Sequence, residues 1–252
     1  MNAAAEISSN PEMASRTLRL VGEETMQRLR DTRVIIFGVG GVGSWCAESL
    51  ARTGIGHITI VDPDRVAPSN INRQLMATLD TMGRPKVEVL RERMLTVHPE
   101  CRVTAIQEPF TPESAASFDL DQYDYVIDAI DSLSDKAHLI LAATASRARL
   151  FSSMGAALKM DPTQVKVAEF WDVKGCPLAR ALRNKFKRSG QKPRRKFKCV
   201  YSDELLHNLG PMGPDELQFG KVAYNGSLCH ITAIFGLTLA GLVIKDIMKN
   251  EK

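Results

Sequence analysis

"GVGGVGSWCAESLARTGIGHITIVDPD", residues 38–64, puts four glycines into six positions, follows them with a helix-like stretch, and ends a β-branched run on Asp62. Just upstream, "RVIIF" (33–37) reads as a short buried strand, and Gly54 ends the helix pattern that follows the glycines. Gly38, Gly40 and Gly43 therefore lie between a strand and a helix. In that context G-x-G-x-x-G lets backbone amides approach a phosphate at a helix N-terminus, where the dipole favours negative charge. Asp62, closing the second strand, is placed to accept hydrogen bonds from a ribose. A merely tight structural turn would need the same glycines, but not the strand, helix and carboxylate in register with them.

Outward from this unit the chain keeps alternating. "HITIV" (57–61) is the second strand, and a helix follows Pro85, with Val87, Leu90, Met94 and Val97 on one face and Pro99 stopping it. "RVTAI" (102–106), "YDYVIDAID" (123–131), a helix through "KAHLILAATAS" and "LFSSMGA" (150–156) continue the pattern, and "QVKVAEFW" (164–171) reads as an added antiparallel strand. Strands alternating with helices predict an α/β fold of Rossmann-like, doubly wound type, its sheet mostly parallel with antiparallel C-terminal additions. With 252 residues, 44% of them hydrophobic, the chain can bury one sizeable core. We expect a mobile N-terminus over 1–15, a single α/β domain over 16–252, and a C-terminal apolar helix at about 227–249.

Composition narrows the setting. "MNAAAEISSNPEMASR" lacks a basic start followed by an apolar run, so it does not read as a secretory signal. Five cysteines, widely spaced and never paired as C-x-x-C, fit free thiols in a reducing compartment and offer no zinc site. A cytoplasmic enzyme is the expectation. Against it stands "VAYNGSLCHITAIFGLTLAGLVI" (222–244), 23 uncharged residues, long enough to span a bilayer. Polar Asn225, Ser227 and His230 with three glycines dilute that run, so a buried C-terminal helix is preferred, with His230 a hydrogen-bonded core residue.

The net charge of +4 conceals a local excess. In "KFKRSGQKPRRKFK", residues 185–198, eight of fourteen residues are basic and none is acidic, which leaves −4 on the rest of the chain. With Gly190 and Pro193 inside it, the run reads as a flexible cationic loop able to follow a polyphosphate backbone; a solvated surface loop would have the same composition.

Which nucleotide the turn holds is decided further along. "SNINRQ" (69–74) supplies Arg73, "GRPK" (83–86) supplies Lys86, and "DAIDS" (128–132) puts Asp128 and Asp131 at the carboxyl end of a parallel strand, where open α/β sheets bind ligands. Each alone has a plain structural reading: Asn70 or Asp131 as a helix cap, Arg73 in a surface pair, Lys86 solvated. Hydride transfer needs no such set. Phosphoryl or nucleotidyl transfer from ATP does, because charge on the phosphates must be neutralised by Arg, Lys and Mg²⁺.

Together G-x-G-G-x-G-S, the Asp after the second strand, S-N-x-N-R-Q, G-x-x-K and D-x-x-D resemble the ubiquitin-activating-like adenylating enzymes of the ThiF, MoeB and HesA type, over about residues 16–160. The resemblance implies that Gly38, Gly40, Gly41 and Gly43 cradle ATP, that Asp62 binds ribose, that Asn70, Arg73 and Lys86 hold the phosphates, and that Asp131 ligates Mg²⁺, with Gln74 in support. It makes Arg73, Lys86 and Asp131 the catalytic set. It also implies a homodimer in which an N-terminal arginine, Arg16 or the nearby Arg19, reaches the other subunit's ATP. Members that activate the tail of a sulfur-carrier protein usually carry paired C-x-x-C zinc motifs, which are missing here.

"GIGHITIVD", "DPTQ" (161–164), "PLARALRNKFK" (177–187) and "CVYS" (199–202) are instead similar to the tRNA threonylcarbamoyladenosine dehydratases, which extends the resemblance to almost the whole chain. It implies ATP-dependent activation of the threonine carboxylate of a modified adenosine beside the anticodon, and ring closure by the carbamoyl group. Lys185, Lys187, Arg188, Lys192, Arg194, Arg195, Lys196 and Lys198 then become candidate tRNA contacts. A monovalent cation and a sulfur-transfer or redox protein partner stay open, and Cys199 reads as a packed thiol rather than a thioester nucleophile. Adenylation of a carrier-protein tail is the second reading; a nucleotide-binding scaffold or an NAD-dependent oxidoreductase is the third.

Overall fold

The computed structural model describes residues 11–210 and 225–249. A 3-10 turn (Pro11–Ala14) leads into α1 (Ser15–Asp31), which is kinked at Gly22. The expected mobile segment falls largely on residues 1–10, outside the described residues. There follow β1 (Arg33–Phe37), α2 (Gly43–Thr53), β2 (His57–Val61), α3 (Lys86–Val97), β3 (Arg102–Ile106), β4 (Tyr125–Asp128), α4 (Leu133–Ala145) and β5 (Arg149–Ser153). The chain then forms β6 (Val165–Glu169), α5 (Pro177–Ser189), β7 (Lys198–Ser202) and α6 (Cys229–Lys249).

All seven strands form one sheet in the order β3-β2-β1-β4-β5-β7-β6. Every pairing is parallel except β6 with β7. Period-2 alternation splits the strand residues between two cores. Val34, Ile36, Ile58 and Ile60 face Leu50 of α2, Leu90 of α3 and Phe235 of α6. Ile35, Phe37 and Val126 face Leu139 of α4 and Leu182 of α5. Because β1 lies between β2 and β4, the sheet's order reverses beside β1, and the ends of β1 and β4 flank the crevice where such sheets take ligands.

α6 is the apolar C-terminal helix anticipated from the sequence. Residues 222–224 of that run lie outside the described residues. By length and mean hydropathy α6 could cross a membrane, yet Ile231, Phe235, Leu239, Val243 and Ile247, spaced four apart, form a buried stripe against the core. It packs closely on α2. A Cβ on Gly236 would fall 2.3 Å from the Val42 carbonyl oxygen and 2.9 Å from the Cys46 nitrogen, so the helices approach backbone to backbone. His230 is exposed rather than in the core: its Nε2 lies 2.9 Å from the Met160 carbonyl.

The basic run is not a flexible loop. Leu182 and Phe186, one turn apart, hold Lys185, Lys187 and Arg188 on α5, while Phe197 and Cys199 alternate inward and draw Lys198 into β7. Buried apolar residues interleaved with the cations prevail over the breaking tendency of Gly190 and Pro193, which occupy only the short connection.

Beneath the end of β4 lies a buried ion pair. Asp128 accepts from Lys136 Nζ at 2.9 Å, from Ser152 Oγ at 2.6 Å and from the Ile130 amide at 3.2 Å. Lys136, fully buried, also donates to the Ile130 carbonyl at 2.9 Å, so the pair clamps the loop from Ala129 to Ser132. Removing one partner leaves an uncompensated buried charge. Lys136→Met should therefore cost about 3–5 kcal/mol at neutral pH, and Lys136→Met with Asp128→Asn distinctly less, read by urea unfolding. Gly236→Ala should cost about 1–3 kcal/mol by forcing α2 and α6 apart. Gly241→Ala, with nothing within 4 Å of its added carbon, should cost nothing, and thermal unfolding of the two variants tests the contrast.

Candidate functional site

The glycine turn leaves β1 and closes on itself. Gly38 has φ +84°, and a Cβ there would meet the Ala129 carbonyl oxygen at 2.7 Å; one on Gly43 would lie 1.8 Å from the Gly38 carbonyl oxygen. No side chain fits between this turn and the loop after β4. α2 then starts with no side-chain cap and no acidic residue in its first turn, which keeps its N-terminal field available to an anion.

Asp62 ties the second strand to this turn. Its carboxylate accepts from the Val39 amide at 2.8 Å and the Asp64 amide at 2.9 Å. Burial pushes its pKa up, against the pull of Lys86 and those two amides. Lys86, first residue of α3 and 5% exposed, has Nζ 4.0 Å from Asp62 and donates to Asp64 at 2.7 Å. Asp64 is the open partner of that pair, its side chain 64% exposed. An arriving phosphate would compete for Lys86 chiefly with the solvated Asp64 at 2.7 Å, buried Asp62 standing farther off at 4.0 Å.

The third part of the site is the segment Ser69–Gln74. Asn70 is buried, and its side-chain oxygen accepts from the Ala67 amide at 3.0 Å, shaping the turn. Arg73 donates from Nη1 to the Ser69 carbonyl at 2.9 Å and to Asn72 Oδ1 at 2.8 Å. Two residues at the start of α2 hold this segment to the glycine turn. Ser44 Oγ donates to the Gly40 carbonyl at 2.6 Å and accepts from the Leu75 amide at 3.3 Å, and the Trp45 indole donates to the Arg73 carbonyl at 3.2 Å. Gly41 faces Arg73, where a Cβ would stand 3.2 Å from Cγ.

Gln74 is buried beside Gly40, and its Oε1 has no hydrogen-bond partner. A buried orphan acceptor carries a desolvation cost, so it marks a place where a donor belongs.

Asp131 sits exposed on the loop that Asp128 and Lys136 clamp. Among the described residues no three His, Cys, Asp or Glu side chains gather into a metal cage. A single carboxylate beside the glycine turn has the chemistry to hold Mg²⁺, which keeps several waters and takes one or two carboxylates plus substrate phosphates. Arg16 is exposed on the first turn of α1.

The chain thus gathers Gly38–Gly43, Asp62 and Lys86 at one edge of the sheet, with Arg73 and the Asp131 loop beside them. The basic residues stand elsewhere. Lys185, Lys187 and Arg188 are on α5, Lys192 and Arg194 on the connection, and Lys198 opens β7. Arg195 is committed internally: its guanidinium donates to the carbonyls of Ala143, Thr144, Ser146, Arg147 and Ala148, satisfying the end of α4. Cys199 is fully buried, its thiol pKa pushed well up by that burial, as a packed thiol requires.

The roles of Trp45, Asp64 and Lys136 have little local signal in the sequence. Trp45 directly follows the glycine motif, but an indole reaching a carbonyl 28 positions away has no local signature. Lys136 lies on a helix face that a charge alone would assign to solvent.

A model of the ThiF family matches residues 14–252. The tRNA threonylcarbamoyladenosine dehydratase of Bacillus subtilis is 36% identical over 94% of both chains, and that of Escherichia coli is 42% identical over 92% of both. The crystal structure of the E. coli dehydratase with ATP superposes with a TM-score of 0.83 over 95% of both chains at 37% identity. The E. coli molybdopterin-synthase adenylyltransferase is more distant, 30% identical over 74% of this chain. Because the family match runs unbroken from α1 through the glycine turn, the Asn70–Gln74 segment and α6, this chain belongs to the ThiF family.

Proposed function

We propose that this protein is an ATP-dependent tRNA threonylcarbamoyladenosine dehydratase, cyclising the modified adenosine beside the anticodon. The observation that carries the reading is one sheet edge bearing an uncapped glycine turn, buried Asp62 with Lys86, and Arg73 anchored to that turn. The similarity to dehydratases over more than nine-tenths of the chain supports the choice of substrate.

A carboxylate is a poor acceptor until one of its oxygens becomes a leaving group. In the proposed reaction a threonine carboxylate oxygen attacks a phosphorus of ATP and forms a mixed anhydride, releasing pyrophosphate from attack at the α-phosphorus or ADP from attack at the γ-phosphorus. An atom of the same carbamoyl group then attacks the activated carbonyl, loses its proton and expels AMP or inorganic phosphate carrying the carboxylate oxygen; the net change is loss of water from the nucleoside. Arg73 and Lys86 face the phosphates and stabilise charge as it shifts to the leaving oxygen. Asp62 orients the ribose while its own amide contacts hold the turn. Asp131 would hold Mg²⁺, which when bound neutralises phosphate charge. Because nucleophile and electrophile belong to one molecule, effective concentration supplies much of the ring-closure rate, and no cysteine nucleophile is required.

In this reading Arg16 or Arg19 reaches the ATP of a second subunit, and the outer face of α6, with Leu237 exposed, serves the homodimer. Lys185, Lys187, Arg188, Lys192, Arg194, Lys196 and Lys198 contact tRNA phosphates, while Arg195 holds the scaffold beneath them. The enzyme works in the cytoplasm.

The deciding experiment is mass spectrometry of nucleosides from tRNA incubated with enzyme, ATP and Mg²⁺, which should reveal threonylcarbamoyladenosine lighter by one water; an unchanged nucleoside overturns the reading. Lys86→Ala and Asp131→Ala should each lower turnover by about 100-fold or more with the fold intact. Arg73→Lys should not rescue, since the planar fork is lost. Trp45→Phe removes one neutral hydrogen bond that positions Arg73. It should lower turnover by about 2- to 10-fold while leaving tRNA affinity unchanged, by steady-state kinetics. Replacing Lys192, Lys196 and Lys198 with alanine should raise the tRNA dissociation constant about tenfold at moderate salt and flatten its salt dependence, with ATP binding unaffected.

A further inference from the structure

Beyond β6 an indole is left in the open. Trp171 is 47% exposed although it adjoins a dense aromatic cluster, packing at 5.0 Å and 68° against fully buried Phe170. Phe197 stacks on the same Phe170 at 5.0 Å and 18°, and is flanked in sequence by Lys196 and Lys198. Arg183 of α5 donates to the Phe170 carbonyl at 3.2 Å and sets its guanidinium 5.9 Å from that ring. Phe170 thus anchors an exposed indole and a set of cations together.

The charge around it is extended. On α5, Arg180, Lys187 and Arg188 share the exposed face with partly exposed Arg183, so the basic surface begins earlier than the run from Lys185. On the other side a cavity of about 360 Å³ is lined by Arg149, Arg195, Lys196, Phe197, Lys198 and Asp246, among others. Asp246 is taken by Arg149 and by the Tyr125 hydroxyl, and Arg195 by backbone carbonyls. Lys196 and Lys198 make no ion pair among the described residues. The nearby Glu169 accepts from the Trp171 amide at 2.9 Å.

This surface and the nucleotide turn occupy opposite ends of the sheet. Arg149 and Lys198 open β5 and β7, and Glu169 closes antiparallel β6 opposite Lys198, whereas the glycine turn follows the end of β1. Five-residue strands put roughly 16 Å between those edges.

We propose that Trp171, on the same surface as Lys196, Lys198 and Arg183, is a stacking platform for an unpaired nucleotide of the RNA substrate other than the one that reacts. The inference rests on the tRNA reading above. An aromatic face takes any base by stacking, and cations beside it take the phosphates that flank that base, a combination characteristic of single-stranded nucleic acid sites. An acidic protein would use the cations but would not need an exposed indole on the same surface.

The test uses the full-length protein with a single-stranded oligoribonucleotide, modified tRNA, and inorganic polyphosphate as a base-free polyanion. The oligoribonucleotide should quench the wild-type tryptophan emission, and most of that quenching should be lost in Trp171→Phe, where Trp45 is the remaining indole. Trp171→Ala should weaken oligoribonucleotide binding about tenfold, within the range for one lost base stack, leave polyphosphate binding unchanged, and raise KM for tRNA with kcat preserved; Trp171→Phe should restore most of the affinity. Unchanged RNA affinity in Trp171→Ala, equal loss for RNA and polyphosphate, or emission insensitive to RNA overturns the platform, and the last still decides if Trp171→Ala does not fold. Dehydration of tRNA that is unaffected by Trp171→Ala overturns the platform alone. RNA-quenched emission in a protein that cannot dehydrate modified tRNA would overturn the substrate reading instead.

Discussion

The site depends on how closely the turn after β1 packs upon itself. With 1.8 Å between the Gly38 carbonyl oxygen and the place a Gly43 Cβ would take, α2 can begin directly above the strand end and point its N-terminus at the crevice. Everything downstream inherits that placement. Ser44 and Trp45 then reach the Arg73 segment, and Gly236 of α6 docks against the start of the same helix. The glycine turn, the placement of Arg73 and the packing of α6 therefore share one short run of backbone.

Charge is handled differently at two neighbouring strand ends. Asp128 and Lys136 are sealed from solvent, and in low dielectric such a pair holds a loop in place without being free to meet a ligand. Asp62 and Lys86 are also buried, but Lys86 leans on the solvated Asp64, and Asp62 spends its hydrogen bonds on backbone amides. The first pair shapes the Asp131 loop; the second keeps an ammonium group near the surface of the crevice. Sequence spacing alone made Asp128 and Asp131 look alike, yet burial gives them separate tasks.

The two ends of the sheet divide the work that the proposed reaction needs. Phosphate chemistry belongs at the carboxyl ends of the parallel strands, where the turn amides and helix field converge. The cations and Trp171 gather at the other end, where β5 and β7 begin and the antiparallel β6 finishes. A substrate as large as a folded RNA can engage both, whereas a small carboxylate would have no use for the second.

Hydrophobic period and glycine spacing are local properties, and they were sufficient for the sheet through β6 and for α2, α3, α4 and α6; Asp62, Asn70, Arg73, Lys86 and Asp131 were legible only as short motifs that resemble a family pattern. Neighbouring residues impose these features, so a single chain read in order displays them. Tertiary structure alone decided that Lys185–Lys198 is helix, connection and strand, because Phe186 and Phe197 gain more by entering the core than Gly190 and Pro193 lose by bending the chain. It alone placed Arg195 on five carbonyls, His230 at the surface, Lys136 in the interior and Trp45 on Arg73. Each of those outcomes depends on a partner tens of residues away, and the free energy of burying or satisfying a polar group exists only once the fold has brought that partner to it.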